Sequence, residues 1–231
     1  EEKSDVVGLP ETWTTGFYPK ENLASYCDRD GERAKKTFAD LAKELNVNIV
    51  AGSIANEKNG EIYNTAFVFN REGEVVAEYD KTHLFTPMDE HKFFSFGKNL
   101  VTFELDGHKC GIVICYDIRF CELVRSLALR GIDMLFMVSQ WPLVRTSHIV
   151  TLTKARAIEN QMFVVCCNSC GKTPDAVFGG HSQIIDPWGE VLGAAGEKQE
   201  VITADCDFGT IKDIRNSINV FNDRKPDLYE I

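Results

Sequence analysis

Apolar side chains recur at Ala34, Phe38, Leu41, Ala42 and Leu45. Steps of three and four predict an amphipathic helix over 32–45. The same reasoning predicts a helix over 147–160, and a shorter one over 122–129 with Gly131 as its C-cap. Elsewhere the pattern is that of strands. Residues 5–9, ending at Pro10, and residues 48–54 are short apolar runs, as are MLFMVS (134–139) and MFVVCCNS (162–169). Three stretches predict hairpins. IYNTAFVFNREGEVVAEYDK turns at Asn70 to Gly73, strands 101–105 and 109–115 pair around Asp106-Gly107, and SQIIDPWGEVLGAA turns at Asp186 to Gly189. Strands and helices alternate through the middle of the chain, with hairpins interspersed, which predicts an α/β fold with a mixed sheet. Several strands are apolar on both faces, so both faces should be covered. No repeat, low-complexity tract or Pro/Gly/Ser linker interrupts the chain, and residues 1–231 are read as one domain.

Composition narrows the function classes. Hydrophobic residues make up 44% and charged residues 26%, enough for an ordinary core. The net charge is −10, which argues against nucleic acid or an anionic membrane as a partner. No apolar run approaches the roughly 20 residues that span a bilayer. Glu1, Glu2 and Lys3 are unlike a secretory signal, and the eight cysteines form no regular disulfide framework. A reduced protein in the cytoplasm is the expectation.

Three apolar runs end in a reactive polar group. VVGLPETW delivers Glu11, EYDKTHLF delivers Lys81 and VICYDIRF delivers Cys115. Strand ends are where a rigid element holds a catalytic group beside a loop-lined cleft. Taken singly, each residue has a plainer reading: Glu11 as a solvated turn acid, Lys81 as the surface partner of Asp80, Cys115 as a small core residue. Cys167 and Cys170 form a CxxC, but no second pair follows at zinc-site spacing, and the five histidines are scattered. No GxxxxGK[ST] phosphate loop exists.

Taken together, the three motifs, in this order and spacing, resemble the nitrilase or carbon–nitrogen hydrolase superfamily. TKARAIENQMFVVCCNSCG and GGHSQIIDPWGEVL are similar to it too, and the likeness runs from LPETWTTGF to RKPDLY. Within the superfamily the sequence looks most like the omega-amidases, through YDKTHLFTPMDEHKFFSFG, CYDIRF and WPLVRTSHI.

The resemblance implies a four-layer α-β-β-α sandwich that here lacks the family's usual first strand and helix; their loss would expose a sheet edge, so either the sequence is a fragment of a longer product or something else covers that edge. It implies a catalytic triad of Glu11 as base, Lys81 as oxyanion cation and Cys115 as nucleophile. The backbone N–H of Tyr116 would be a second oxyanion donor, and Glu90 would orient Lys81 or the substrate. The implied substrate is a short dicarboxylic acid with an amide at its far end, such as 2-oxoglutaramate or 2-oxosuccinamate. Arg119 and Arg145 are candidates for its free carboxylate, since the guanidinium fork matches both oxygens. A structural ion pair of Arg119 with Asp117 or Glu122 is the alternative. Trp141 is placed either in the pocket wall or in the core. No metal or organic cofactor is implied, and a homodimer or higher homo-oligomer is. Other branches share the motifs: nitrilases, N-carbamoylases, amidases acting on modified peptides. A catalytically silent binding protein on the same scaffold is the rival from another class.

Overall fold

The computed structural model describes residues 3–16, 21–174 and 176–229. The chain forms β1 (Val6–Gly8), β2 (Asp28–Arg29) and then α1 (Glu32–Leu45). The start of α1 is held by buried Asp28, whose two carboxylate oxygens accept the N–H groups of Arg33 and Ala34 at 3.1 and 2.9 Å. Those donors otherwise lack partners in a first helical turn. Next, β3 (Asn48–Lys58), β4 (Glu61–Phe69) and β5 (Val75–Asp80) form an antiparallel meander, each strand antiparallel to the next, with β1 and β2 added parallel to β3.

The period of two along these strands sorts their side chains. Ile49, Ala51, Phe67 and Phe69 meet Ala34, Phe38 and Ala42 of α1. The alternate residues Val50, Ala66, Val68, Ala77 and Tyr79 join the larger core shared with a second sheet. That sheet is built from β6 (Thr102–Leu105), β7 (His108–Ile114), α2 (Cys121–Leu129), β8 (Met134–Ser139), α3 (Thr146–Asn160) and β9 (Phe163–Asn168). A small hairpin of β10 (Cys170–Lys172) and β11 (Val177–Gly179) follows, then β12 (Gln183–Ile185), β13 (Val191–Ala194) and α4 (Gly209–Ser217). The second sheet has the order β13-β12-β9-β8-β7-β6, with β7, β8 and β9 parallel. Parallel neighbours need crossovers, which α2 and α3 supply. The result is the four-layer α-β-β-α sandwich that the sequence led us to expect.

Several features depart from the sequence reading. The strand expected over 48–54 continues to Lys58, because Asn59 and Gly60 both take positive φ (53° and 83°) and join β3 to β4 as a tight hairpin. Asn-Gly is the strongest short hairpin signal, and the reading passed over it. Helix α4 and the β10–β11 hairpin were also missed: α4 buries only Ile211 and Ile214, too sparse a stripe to stand out. Gly131 (φ 82°) does follow the end of α2 as expected. Glu1 and Glu2 lie outside the described residues, and Lys3 and Ser4 are not helical. Phe17, in the first motif, also lies outside them. Among the described residues, β1 pairs with β3 on one side and with no strand on the other. No helix among them is long and apolar enough to cross a membrane.

Two glycines fit the site's backbone together. Gly52 (φ 65°) sits in a bulge of β3, where a Cβ would press into the Pro10 carbonyl oxygen. The bulge brings Ser53 under the loop after β1: its N–H donates to Pro10 O at 3.2 Å and its Oγ accepts Thr12 N–H at 3.0 Å. Gly97 donates its N–H to Lys81 O at 2.9 Å, and a Cβ there would collide with the Asp80 carbonyl. Replacing Gly52 by alanine forces a left-handed conformation that costs a non-glycine residue about 1–3 kcal/mol, before any clash. Gly52→Ala should therefore lower the midpoint of urea unfolding, and should lower turnover further by displacing Glu11. A variant with wild-type stability and turnover would show that the bulge does not set this loop.

Candidate active site

Four strand ends converge. Beyond β1 lies Glu11, beyond β5 Lys81, beyond β7 Cys115, and beyond β8 Gln140. Glu11, Lys81 and Glu90 are 4%, 2% and 3% exposed, although all three carry charge. Lys81 Nζ donates to Glu11 Oε1 at 2.8 Å and to both oxygens of Glu90 at 3.0 and 2.9 Å. The plainer readings of Glu11 and Lys81 are thereby overturned. Neither is at the surface, and the neighbour Asp80 pairs with Lys58 at 2.6 Å instead.

Neutral donors complete the cluster. Asn64 Nδ2 donates to Glu11 Oε1 at 2.8 Å and to Glu90 Oε1 at 3.2 Å. The N–H of Gln140 donates to Glu11 Oε2 at 2.7 Å, and the N–H of Phe85 to Glu90 Oε2 at 2.6 Å. Both Glu11 oxygens are thus fixed in direction. Burial alone would pull the pKa of Lys81 down; the charges of Glu11 and Glu90 outweigh it and hold it well above the ordinary lysine value. A raised folded-state pKa stabilises the fold fully at neutral pH, and the contribution is lost only as pH rises past the lysine range.

Cys115 is 8% exposed and opens a short 3-10 helix (Cys115–Arg119) at the end of β7. Its φ is +49°, and that of Thr12, directly after Glu11, is +40°. Non-glycine residues seldom adopt such angles, and they persist only where the surroundings enforce them. Part of the enforcement comes from Asp117, which is wholly buried. Its Oδ2 accepts Ile114 N–H at 3.0 Å and Tyr79 O–H at 2.7 Å, while its Oδ1 accepts His83 N–H and faces His83 Nδ1, both at 2.8 Å. The turn carrying Cys115 is in this way tied to the segment carrying Lys81. The thiol faces Glu11 in the same buried cleft, close enough to feel its charge. Burial and the Glu11 charge push its pKa far up, and Lys81 and Ser139 only partly offset them. The resting group is therefore a thiol, and a carboxylate stands ready to take its proton.

The cleft over Cys115 is lined by Phe85, Met88, Tyr116, Arg119, Trp141 and Arg145 as well as the charged cluster. Trp141 belongs to both places offered for it: it is buried and it walls the cleft. Arg119 pairs with neither Asp117 nor Glu122. Its guanidinium stacks on Trp141, 4.6 Å from the ring centre, and its Nη2 lies 3.2 Å from His148 Nδ1. Arg145 lies over Phe85 at 5.2 Å. Among the described residues no group of three or more His, Cys, Asp and Glu side chains could hold a metal ion, and all eight cysteines are unpaired.

A buried thiol beside a carboxylate and an ammonium is equipment for nucleophilic attack on a carbonyl. The comparisons agree with that chemistry. The carbon-nitrogen hydrolase family profile matches residues 1–216. The chain belongs to the carbon–nitrogen hydrolase family. It is 47% identical over 226 residues to the 2-oxoglutaramate amidase of Bacillus subtilis (strain 168), covering 98% of this chain and 87% of that protein. It is 32% identical to the omega-amidase NIT2 of Homo sapiens, over 98% of this chain and 85% of that one. A solved amidase from Nesterenkonia sp. AN1 superimposes with a TM-score of 0.84 at 25% identity, over 97% of this chain and 82% of that one. In that structure, a glutamate-to-glutamine mutant, the acetamide moiety of fluoroacetamide is covalently added to the active-site cysteine.

This carbon–nitrogen hydrolase brings together every site residue proposed from the sequence. Asn64, Asp117, Ser139 and Gln140 were missed. Asn64 carries a visible signal, an amide among the aromatic and apolar residues of IYNTAF. Gln140 carries none, because it acts through its backbone. Removing the ammonium leaves two buried carboxylates facing each other, and breaking a buried pair costs about 3–5 kcal/mol. Lys81→Met should lose stability on that scale in urea titrations, and Glu90→Gln in the same chain should recover part of it. No recovery would mean that Glu90 is not a counter-charge.

Proposed function

We propose that this enzyme hydrolyses the terminal amide of a short dicarboxylic acid monoamide, of the 2-oxoglutaramate type, through a cysteine thioester. The observation that carries the reading is the buried cluster of Glu11, Lys81 and Glu90 against the Cys115 thiol. Glu11 takes the thiol proton as Sγ attacks the amide carbon. That transfer neutralises the charge which, after burial, most opposes a thiolate. The oxyanion then forms beside Lys81 Nζ and the Tyr116 N–H. The latter lies in a first helical turn, where backbone donors lack helical partners. Protonated Glu11 gives its proton to the leaving nitrogen, the C–N bond breaks and ammonia departs. Water, activated by Glu11, attacks the thioester, the C–S bond breaks and the acid is released. Glu90 keeps the ammonium aimed.

The choice among superfamily branches rests on the cleft's cations. Among the described residues neither Arg119 nor Arg145 pairs with a carboxylate, and both line the cleft. Two guanidinium groups without counter-ions suit a substrate whose far end is an anion. The relatives' activities toward omega-amides support the same choice. We further assign the enzyme to the cytoplasm and to a homodimer or higher homo-oligomer, on its resemblance to the family and its unpaired cysteines.

Ammonia release from 2-oxoglutaramate, succinamate, glutamine, an N-carbamoyl amino acid and a simple nitrile tests the branch. The omega-amides should be turned over and the nitrile should not, and Cys115→Ala should abolish release while keeping its circular dichroism. Glu11→Gln should lose turnover yet still be alkylated at Cys115, because removing the Glu11 charge eases thiolate formation. A fully active Cys115→Ala would end the thioester mechanism. Arg119→Ala and Arg145→Ala should separate the carboxylate's partner: that variant should raise KM for 2-oxoglutaramate about tenfold or more, consistent with losing one charged hydrogen bond of about 1.5–3 kcal/mol. An uncharged amide such as butyramide should be little affected. Equal losses on both amides would argue for a structural arginine.

A further inference from the structure

Ser139 ends β8, and its side chain has entered so far only as a weak influence on the Cys115 thiol. Strands β7 and β8 are parallel with Ile114 opposite Val138, so the next residues, Cys115 and Ser139, sit side by side at the sheet's edge. The Ser139 carbonyl is fully engaged: it accepts Glu11 N–H at 3.4 Å and Ser169 N–H at 3.0 Å. The side chain is not. Ser139 is 0% exposed, and its Oγ has no hydrogen-bond partner. A buried hydroxyl left so costs stability and calls for an explanation. On the neighbouring strand end stands Cys115, whose sulfur needs a donor when it is anionic.

We propose that the Ser139 hydroxyl is a catalytic donor that turns onto the Cys115 sulfur whenever that sulfur is anionic. The inference rests on Cys115 being the nucleophile. Two steps produce the anion. In the first, the thiol proton passes to Glu11 and Oγ–H donates to the sulfur as it forms its bond to carbon. In the second, the C–S bond of the tetrahedral intermediate breaks, the electron pair returns to sulfur, and Oγ–H donates again until the proton comes back from Glu11. In the resting enzyme the hydroxyl makes no well-formed hydrogen bond and acts only weakly on the neighbouring thiol, because its full partner, the anionic sulfur, exists only during turnover. The direction of its influence on the Cys115 thiol, downward against burial and the Glu11 charge, agrees with this role.

Ser139→Ala in the full chain tests it. The readout is the alkylation rate of Cys115 by iodoacetamide from pH 6 to 10, followed by mass spectrometry of the Cys115 peptide. One lost donor should slow labelling roughly tenfold at each pH below the thiol's midpoint, as expected for a pKa rise of about one unit. The space vacated by the hydroxyl would act the other way, by easing entry of the reagent. Turnover should fall by a similar factor. The melting temperature should be unchanged or higher, since an unpaired buried polar atom has gone. A folded variant with unaltered labelling overturns the proposal. So does one that melts lower with unaltered labelling, because the hydroxyl then serves packing alone. Failure of the amidase reading shows separately, as ammonia release that survives Cys115→Ala.

Discussion

A single buried ammonium organises this site. Lys81 has its charge almost wholly removed from water, and it is tolerable there only because Glu11 and Glu90 stand within 3.0 Å of it. Each carboxylate is tolerable for the same reason, with Asn64 and two backbone N–H groups meeting the remaining oxygen lone pairs. The set carries one net negative charge, and it faces a thiol. Burial and the Glu11 charge keep the thiol protonated at rest, and Glu11 is the place for its proton to go. Catalytic readiness and resting inertness follow from the same electrostatics.

Such a cluster needs a rigid frame. The two sheets pack face to face, and the catalytic groups sit just beyond the ends of strands from both. Glu11 and Lys81 come from one sheet, Cys115 and Ser139 from the other. The links between sheets run through polar contacts at this edge: Tyr79 and His83 to Asp117, Glu11 to Gln140, and Glu11 to the carbonyl of Ser139. Sliding one sheet over the other by a fraction of an ångström would break them. Glycines at 52 and 97 and positive φ at Thr12 and Cys115 are local concessions to that alignment.

The outer cleft follows a different logic. Its cations are stacked on aromatic rings, not neutralised, in a protein whose overall charge is −10. Stacking holds a guanidinium in place without consuming its charge. The position therefore remains free for an anion that arrives with the substrate.

Much of this was legible in the chain itself. The periodicity placed α1, β8 and the three hairpins it predicted within a residue or two, because each buries one face or both and the pattern records that burial. The three reactive residues stood out because each breaks an apolar run at its end. What the pattern could not carry is pairing across long separations. That Lys81 abandons its neighbour Asp80 for Glu11, 70 residues away, depends on which strand ends meet. The role of Asn64 needs the neighbouring strand ends of its own sheet, and those of Asp117, Ser139 and the backbone donor of Gln140 exist only once the two sheets are stacked. Local sequence determined the strands, helices and reactive side chains, because those follow from short-range period and composition. The tertiary structure alone decided which charges share one buried site, because the energy of a desolvated charge is set by whichever groups the fold brings within about 3 Å of it.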